Sequence, residues 1–253
     1  MKKLIFSLLA FGATYAYGQD NTFLPTSTAI VSQQDPPKKQ GDDWMMFTRG
    51  IGVSFQNFDG LNDRLKGFSQ YKELRDHAFT LSLGTLNQYK NFISGFEVTG
   101  GSSMSGHRDK KSSTTRFLGA AVDFGYDVIP SKKIVLYPYL GIGGESYWAK
   151  FFKDNSGVDF DDVAGSPAIQ NAIRPVSFNN GWFGWRGGIG VGIRNSSGNS
   201  LAMLKAGYTG SFKDRAWKSS DNQTLNGAPK DGLNRWFVSI VLGDLKGKAN
   251  KMK

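Results

Sequence analysis

The feature that most constrains this chain is a two-residue alternation of apolar residues with polar residues or glycine. In the clearest segment, 183–194, phenylalanine, tryptophan, isoleucine and valine alternate with glycine and arginine. Successive side chains of a β-strand point to opposite faces, so such a strand has one apolar face and one face of glycine and charge. The pattern recurs, and predicts eight strands, in segments 47–58, 78–86, 92–101, 118–126, 136–145, 183–194, 202–209 and 235–242.

The connections between these segments alternate between short and long. Short links are predicted at 87–91, 128–133 and 195–200, and long polar links at 59–77, 102–114, 150–181 and 212–234. Short turns at one end and long loops at the other are typical of outer-membrane barrels. The sequence therefore predicts an all-β, eight-stranded antiparallel up-and-down transmembrane β-barrel over residues 44–243, with both chain ends on the periplasmic side.

Two kinds of protein have this alternation, and they differ in what covers the apolar face. In a soluble β-sandwich or lipocalin-like barrel that face is buried, whereas in a membrane barrel it contacts lipid. Glycine accounts for 32 of the 253 residues, against about 7% in soluble domains. Aromatic residues near strand ends favour the membrane barrel, because they suit its interfacial girdles. They are Trp44, Phe47, Phe58, Tyr126, Trp148, Trp182, Tyr208 and Trp236.

The two ends of the chain differ in composition from the alternating part. Residues 1–18 have two lysines, an apolar stretch and then small residues, which predicts a cleaved signal peptide. The alternative, an uncleaved anchor, is disfavoured because a spanning helix needs about 20 apolar residues. Residues 19–43 are polar and are predicted to be a flexible periplasmic segment, and residues 244–253 a basic C-terminal tail.

Charged residues fall on the inward face of the predicted strands. An eight-stranded barrel is just wide enough to be filled by side chains, and charges removed from water are costly unless they are paired. We therefore predict an internal salt-bridge network, with Glu145 and Arg186 on adjacent strands as the expected pair. A static polar core is favoured over a gate that opens when partners exchange. The inward charges are Glu97, Asp123, Glu145, Arg186, Lys205 and Arg235.

Cations are also concentrated in the predicted extracellular loops. The formal charge of +10 includes Lys2 and Lys3, so removal of the signal peptide leaves +10 − 2 = +8. An exported basic chain meets anionic lipopolysaccharide and lipid headgroups rather than nucleic acid. We expect the loops to contact lipopolysaccharide or a partner complex in the membrane. The loop cations are Lys110, Lys111, Lys153, Lys213, Arg215 and Lys218.

Residues suited to catalysis or metal binding are few. The chain has no cysteine, which excludes thiolate metal sites, thiol nucleophiles and disulfides. Ser105, Gly106 and His107 are adjacent in sequence, but adjacency supplies neither a base within reach nor an orienting acid. The acidic loop 154–162 lacks the spacing of an EF-hand, so a solvated loop is favoured over a calcium site. We predict no catalytic residues, no metal site and no cofactor.

These features resemble the small outer-membrane barrels: the membrane domain of OmpA, OmpX and OmpW, and the Bacteroidota-type porin-like outer-membrane families. The resemblance is carried by the eight alternating segments, by the signal-like start, and by Gly188-Ile189-Gly190-Val191-Gly192. The resemblance implies the fold, and the predicted internal salt bridges resemble the closed lumen of the OmpA-type barrel. We predict a structural or interaction role in the Gram-negative cell envelope. A narrow porin-like channel for small solutes is the alternative. The chain departs from the pattern because it continues past the last strand to Lys253.

Overall fold

The computed structural model describes residues 44–107, 110–129, 131, 133–195, 200–232 and 234–245. The long strands are β1 (Trp44–Gln56), β2 (His77–Tyr89), β3 (Phe92–Gly106), β4 (Ser112–Tyr126), β5 (Ile134–Phe152), β6 (Val176–Arg194), β7 (Ser200–Ser211) and β11 (Arg235–Leu245). Three two-residue strands are β8 (Arg215–Ala216), β9 (Lys218–Ser219) and β10 (Lys230–Asp231). The helices are α1 (Asp59–Leu65), α2 (Phe160–Gly165) and α3 (Pro167–Ile173).

Two predictions concern parts of the chain that lie outside this description. They are the signal peptide with the N-terminal segment, 1–43, and the tail from 246 onward. β11 itself runs to Leu245, two residues past the predicted end of the barrel. Among the described helices, none has the length and apolar character needed to cross a bilayer.

The long strands form one closed antiparallel sheet. Their order is β5-β4-β3-β2-β1-β11-β7-β6, and the sheet closes because β5 also pairs with β6. The first and last strands are neighbours, with Ile51 opposite Ile240. The predicted eight-stranded antiparallel up-and-down barrel is therefore confirmed.

The two faces of the sheet have the chemistry that the alternation predicts. On β5, Leu140 and Ile142 point outward and are exposed, Leu140 by 69%, whereas Tyr137 and Tyr139, which precede them with the opposite orientation, are buried. The outward side chains of the other strands are likewise mainly large and apolar. The barrel thus has an apolar exterior and an interior filled by its own side chains.

The hairpin of β3 and β4 is longer than the sequence predicts. The sequence predicts a long loop over segment 102–114, but Ser103 pairs with Thr115 and Ser105 with Ser113. Only residues 107–111 connect the two strands. Serine and threonine occupy both faces of this extension. It therefore lacks the alternation of apolar and polar residues by which the other strands are predicted from the sequence.

Two apolar clusters fill the two ends of the interior: the loop end, where the long connections lie, and the turn end, where the short connections lie. The loop-end cluster consists of Phe58, Leu61, Leu65, Leu74, Ala78, Phe117, Tyr147, Ala149, Phe151, Trp182 and Trp217. The turn-end cluster consists of Met46, Leu86, Ile93, Val135, Tyr137, Tyr139, Leu201, Met203, Phe237 and Val241.

A cap covers the loop end of the barrel, formed by α1 and by Trp217 from the loop between β7 and β11. The carboxylate of Asp231 accepts hydrogen bonds from the backbone N–H groups of Gly60 (2.8 Å) and Leu61 (3.2 Å) and from the indole N–H of Trp217 (2.6 Å). Two loops that are far apart in sequence are therefore joined over the loop-end cluster by one buried carboxylate.

Gly143 on β5 provides a test of how tightly the sheet is packed. A Cβ atom there would lie 2.5 Å from the Ala120 carbonyl oxygen and 2.7 Å from the Ala121 Cβ. We expect Gly143→Ala to lower the free energy of unfolding by about 1–3 kcal/mol through overpacking, measured by urea unfolding in detergent. A Cβ atom at Gly157 would have no neighbouring atom within 4 Å, so Gly157→Ala is the matched control; equal effects of the two would contradict the packing argument.

Candidate functional site: the ionic layer of the interior

The charged side chains predicted to face inward meet between the two apolar clusters. We call them the ionic layer. They come from six strands: Glu97 from β3, Asp123 from β4, Glu145 from β5, Arg186 from β6, Lys205 from β7 and Arg235 from β11. All six side chains are 15% exposed or less.

Four of these side chains form a closed cycle of ion pairs. Arg186 Nη2 lies 3.0 Å from Glu97 Oε1, and Arg186 Nε lies 3.2 Å from Asp123 Oδ1. Lys205 Nζ lies 3.0 Å from Glu97 Oε2 and 3.3 Å from Asp123 Oδ2. Each cation therefore contacts both carboxylates, which offsets the cost of removing all four charges from water.

The remaining two charges pair with each other. Arg235 donates a hydrogen bond to Glu145, and the Tyr147 hydroxyl donates another to Glu145 Oε2 (2.9 Å). The expected pair of Glu145 with Arg186 is therefore wrong. On the adjacent strands β5 and β6, Arg186 lies opposite Gly141 while Glu145 lies opposite Trp182, so the two side chains are offset along the sheet.

The ion pairs run across the lumen rather than between neighbouring strands. β3 and β6, which carry Glu97 and Arg186, are three strands apart in the sheet, as are β5 and β11, which carry Glu145 and Arg235. These pairs connect opposite walls of the barrel. They follow from the diameter of a closed eight-stranded sheet, which brings inward side chains of opposite walls into contact.

Aromatic rings of both clusters border the ionic layer. The Arg186 guanidinium lies 5.1 Å from the ring centre of Phe237, and Lys205 Nζ lies 4.9 Å from that of Tyr139. Arg235 lies 4.6 Å from the ring centre of Phe117. Such cation–π contacts are favourable at this range, so the cations gain partners on the apolar side of the layer.

Small cavities adjoin the ionic layer among the residues that the structure describes. Two internal cavities of about 10 Å³ each adjoin Glu97, one lined also by Glu145 and Arg186 and the other by Asp123 and Lys205. A cavity of that size holds about one water molecule.

The loop cations all lie at the loop end of the barrel. Lys110 and Lys111 occupy the link between β3 and β4, and Lys153 follows β5 directly. Lys111 and Lys153 donate hydrogen bonds to the backbone carbonyls of Ser69 and Ala172. Lys213, Arg215 and Lys218 line a cavity of about 710 Å³ between the loop that joins β7 to β11 and residues of β5 and β6, among them Trp148 and Asn179.

Some aromatic residues predicted to form girdles have another position. Phe58 and Trp182 are buried in the loop-end cluster, and Trp44 packs against the turn-end cluster, so for these three the girdle interpretation is wrong. Trp236 is exposed and lies opposite Phe55 and Tyr208, with the Tyr208 and Trp236 ring centres 4.7 Å apart. An aromatic row therefore does occur on the exterior near the loop end.

The residues considered for chemistry do not assemble into a site. Ser105 is buried whereas His107 is exposed. In the acidic loop, Asp159 caps α2 by accepting from the Asp161 N–H, and two hydrogen bonds from Ser156 lower the pKa of Asp154. No group of three or more metal-ligating side chains occurs within the described residues.

Sequence reasoning missed a second polar contact set at the turn end. Arg194 donates to the side-chain oxygen of Gln88 (2.6 Å), lies 3.9 Å from the Asp127 carboxylate, and stacks 5.0 Å from the Trp44 ring centre. The two-residue alternation along β6 already places Arg194 on the inward face. Its partners do not follow from the alternation, because Asp127 lies in a link and Gln88 beyond the predicted end of β2.

Comparison with known proteins supports the fold and nothing finer. No family model and no curated protein matches the chain. Solved structures that match include a major outer membrane protein from Thermus thermophilus, at 10% identity and a TM-score of 0.50, covering 79% of this chain and 98% of that one. Ail from Yersinia pestis, in complex with the heparin analogue sucrose octasulfate, has 12% identity, coverage of 80% and 98%, and a TM-score of 0.46.

OprG from Pseudomonas aeruginosa has 15% identity, coverage of 81% and 95%, and a TM-score of 0.38. At such identities likeness shows the fold alone. The strand pairing and the match to the Thermus thermophilus protein show that the chain has the closed-barrel fold of outer-membrane proteins.

Proposed function

We propose that this chain is an integral outer-membrane β-barrel protein with a structural or interaction role in the cell envelope. In this proposal the ionic layer and the two apolar clusters occlude the lumen. The long loops face the cell exterior, where they contact lipopolysaccharide or a partner complex. Within the outer-membrane barrels, the resemblance to Bacteroidota-type porin-like families is part of the same proposal and rests on the glycine run at 188–192.

The apolar exterior supports a location in a membrane. On β4 the outward side chains from Leu118 to Tyr126 are alanine or larger apolar residues, and Leu118, Val122, Phe124 and Tyr126 are exposed. At about 3.4 Å per residue and a tilt of about 40°, this stretch is about 21 Å tall, close to the apolar band of about 25 Å in outer-membrane barrels. Water would be a poor solvent for an apolar surface that surrounds the whole barrel.

The filled interior is the observation that carries the closed lumen. The ionic layer is bounded on both sides by buried aromatic and aliphatic side chains, and the cavities beside it have about 10 Å³ each. A continuous water path through the described residues would have to displace the cap, the ion pairs and the turn-end cluster together.

Conductance in planar bilayers tests the closed lumen. We expect the purified, refolded barrel to show no unitary current steps in 1 M KCl, while an open porin inserted under the same conditions supplies the positive control. Regular steps from the full chain would contradict occlusion and favour the narrow channel, whose structural basis would be exchange of partners within the shared ion pairs of Arg186 and Lys205.

Affinity purification from native outer membranes tests the interaction role. The full chain is compared with a variant that lacks residues 155–172, the loop segment that carries α2 and most of α3. We expect proteins that co-purify with the full chain to be reduced with the variant. Identical sets of co-purified proteins would count against a partner bound by this loop.

A further inference from the structure

A groove on the outer face of the barrel lies at the loop end of β3, β4 and β5. It has a volume of about 360 Å³ and we call it the rim groove; it is lined by Met104, Ser112, Thr114, Arg116, Trp148, Lys150 and Phe152. In the sheet, Arg116 lies opposite Trp148 and Thr114 opposite Lys150. The rim groove is therefore built on paired strands and not on a loose loop.

Two cations, Arg116 and Lys150, line the rim groove. Among the described residues, neither Arg116 nor Lys150 has a carboxylate within ion-pair distance, although both are exposed. Trp148 is 44% exposed between them. The hydroxyls of Ser112 and Thr114 add hydrogen-bonding groups. Cationic, aromatic and hydroxyl groups thus converge on one concave surface.

A second cationic groove lies on the other side of Trp148. Its volume is about 710 Å³, and Trp148 lines both grooves. Its cations are Lys213, Arg215, Lys218 and Lys230, and Asp214 is the carboxylate among its lining residues. Cations therefore surround Trp148 on both sides of β5.

The rim groove borders the apolar exterior. Leu118 follows Arg116 on the same outward face of β4, two residues toward the barrel middle, and is exposed. On β5 the outward residues below Trp148 lead to the exposed Ile142. The cations therefore stand where headgroups would meet acyl chains if the apolar exterior lies in lipid.

We propose that the rim groove binds the phosphorylated sugar headgroup of a membrane lipid, with a phosphate on Arg116 and Lys150 and the sugar against Trp148. Arginine and lysine bind phosphate oxygens through charge-assisted hydrogen bonds. The acyl chains of the lipid run over Leu118 and Ile142. This inference rests on the proposed membrane location. It adds strand residues to the loop cations as contacts for lipopolysaccharide.

Binding of lipid A by the full chain in zwitterionic nanodiscs tests the assignment. The variant carries Arg116→Gln and Lys150→Gln; the control carries Lys90→Gln and Lys133→Gln, the same charge change at the turn end. We expect bisphosphorylated lipid A to bind the variant about tenfold more weakly than the wild type, as the loss of two exposed charge contacts of about 0.7 kcal/mol each implies. The control should match the wild type, and dephosphorylated lipid A should not distinguish the three proteins.

The outcomes separate this inference from the proposed function. If the variant binds as tightly as the control, the rim groove is not the site, although the barrel still contacts lipopolysaccharide. If none of the three proteins binds lipid A although each barrel remains in its nanodisc, the proposed contact with lipopolysaccharide is wrong. The rim groove is then not a lipid site either. If a phosphorylated core oligosaccharide without acyl chains binds equally tightly, the ligand is a soluble sugar and the lipid assignment is wrong. Heat-dependent mobility in gel electrophoresis shows that each variant is folded.

Discussion

Replacement of Lys205 by methionine is expected to lower the free energy of unfolding by about 3–5 kcal/mol, since it removes one cation from a buried ion-pair cycle. Lys205 is buried and contacts both Glu97 and Asp123. Without it, two carboxylates share Arg186 alone inside the barrel. Urea unfolding in detergent, followed by tryptophan fluorescence, measures the change.

A double substitution distinguishes loss of charge balance from loss of packing. Adding Glu97→Gln to Lys205→Met removes one negative charge, so we expect the double variant to regain part of the lost stability. Lys133→Met is the surface control, with an expected change within about 0.5 kcal/mol. A loss below about 1 kcal/mol for Lys205→Met alone would contradict the ionic layer as described.

Replacement of Trp217 by alanine is expected to open the cap. Trp217 is 0% exposed, packs 6.2 Å from the ring centre of Phe58, and donates to Asp231. Removal of a buried tryptophan costs about 3–5 kcal/mol, which corresponds to at least about 100-fold faster exchange of amides that the cap protects. Hydrogen exchange of residues 59–65 by mass spectrometry measures this opening.

The expected loss is confined to the cap. Amides of β1 and β11, away from the cap, should keep their protection in Trp217→Ala. Phe160→Ala provides the control, because Phe160 is 81% exposed and its removal leaves no cavity. Unchanged exchange in α1 after Trp217→Ala would show that Trp217 and Asp231 do not hold the helix in place.

The strand pattern is predictable from the sequence because it is local. The two-residue alternation along β5 and β6 alone decides which residues point inward. It places Glu145 and Arg186 in the interior, where the structure has them. Their partners do not follow from adjacency, because each contacts a residue of the opposite wall. That choice depends on the stagger of the strands around the closed barrel, which a sequence pattern does not contain.

The cap could not be predicted from the sequence, for a different reason. Asp231 lies 171 residues from Gly60 and in a segment without apolar period. Helix α1 has seven residues, which is too short for a helical periodicity to stand out. Phe58 and Trp182 are predicted to be girdle residues because proximity to a strand end is visible in the sequence, whereas inward orientation at the barrel mouth is not.

Quenching of tryptophan fluorescence by lipids with brominated acyl chains tests whether the apolar exterior lies in lipid around a filled interior. Single-tryptophan variants retain either Trp236, which is 62% exposed on the exterior, or Trp217 in the buried cap. We predict strong quenching of Trp236 and little quenching of Trp217 in the same bilayers. Equal quenching of the two, or a protein that stays folded in water without lipid or detergent, would contradict a barrel whose exterior lies in lipid.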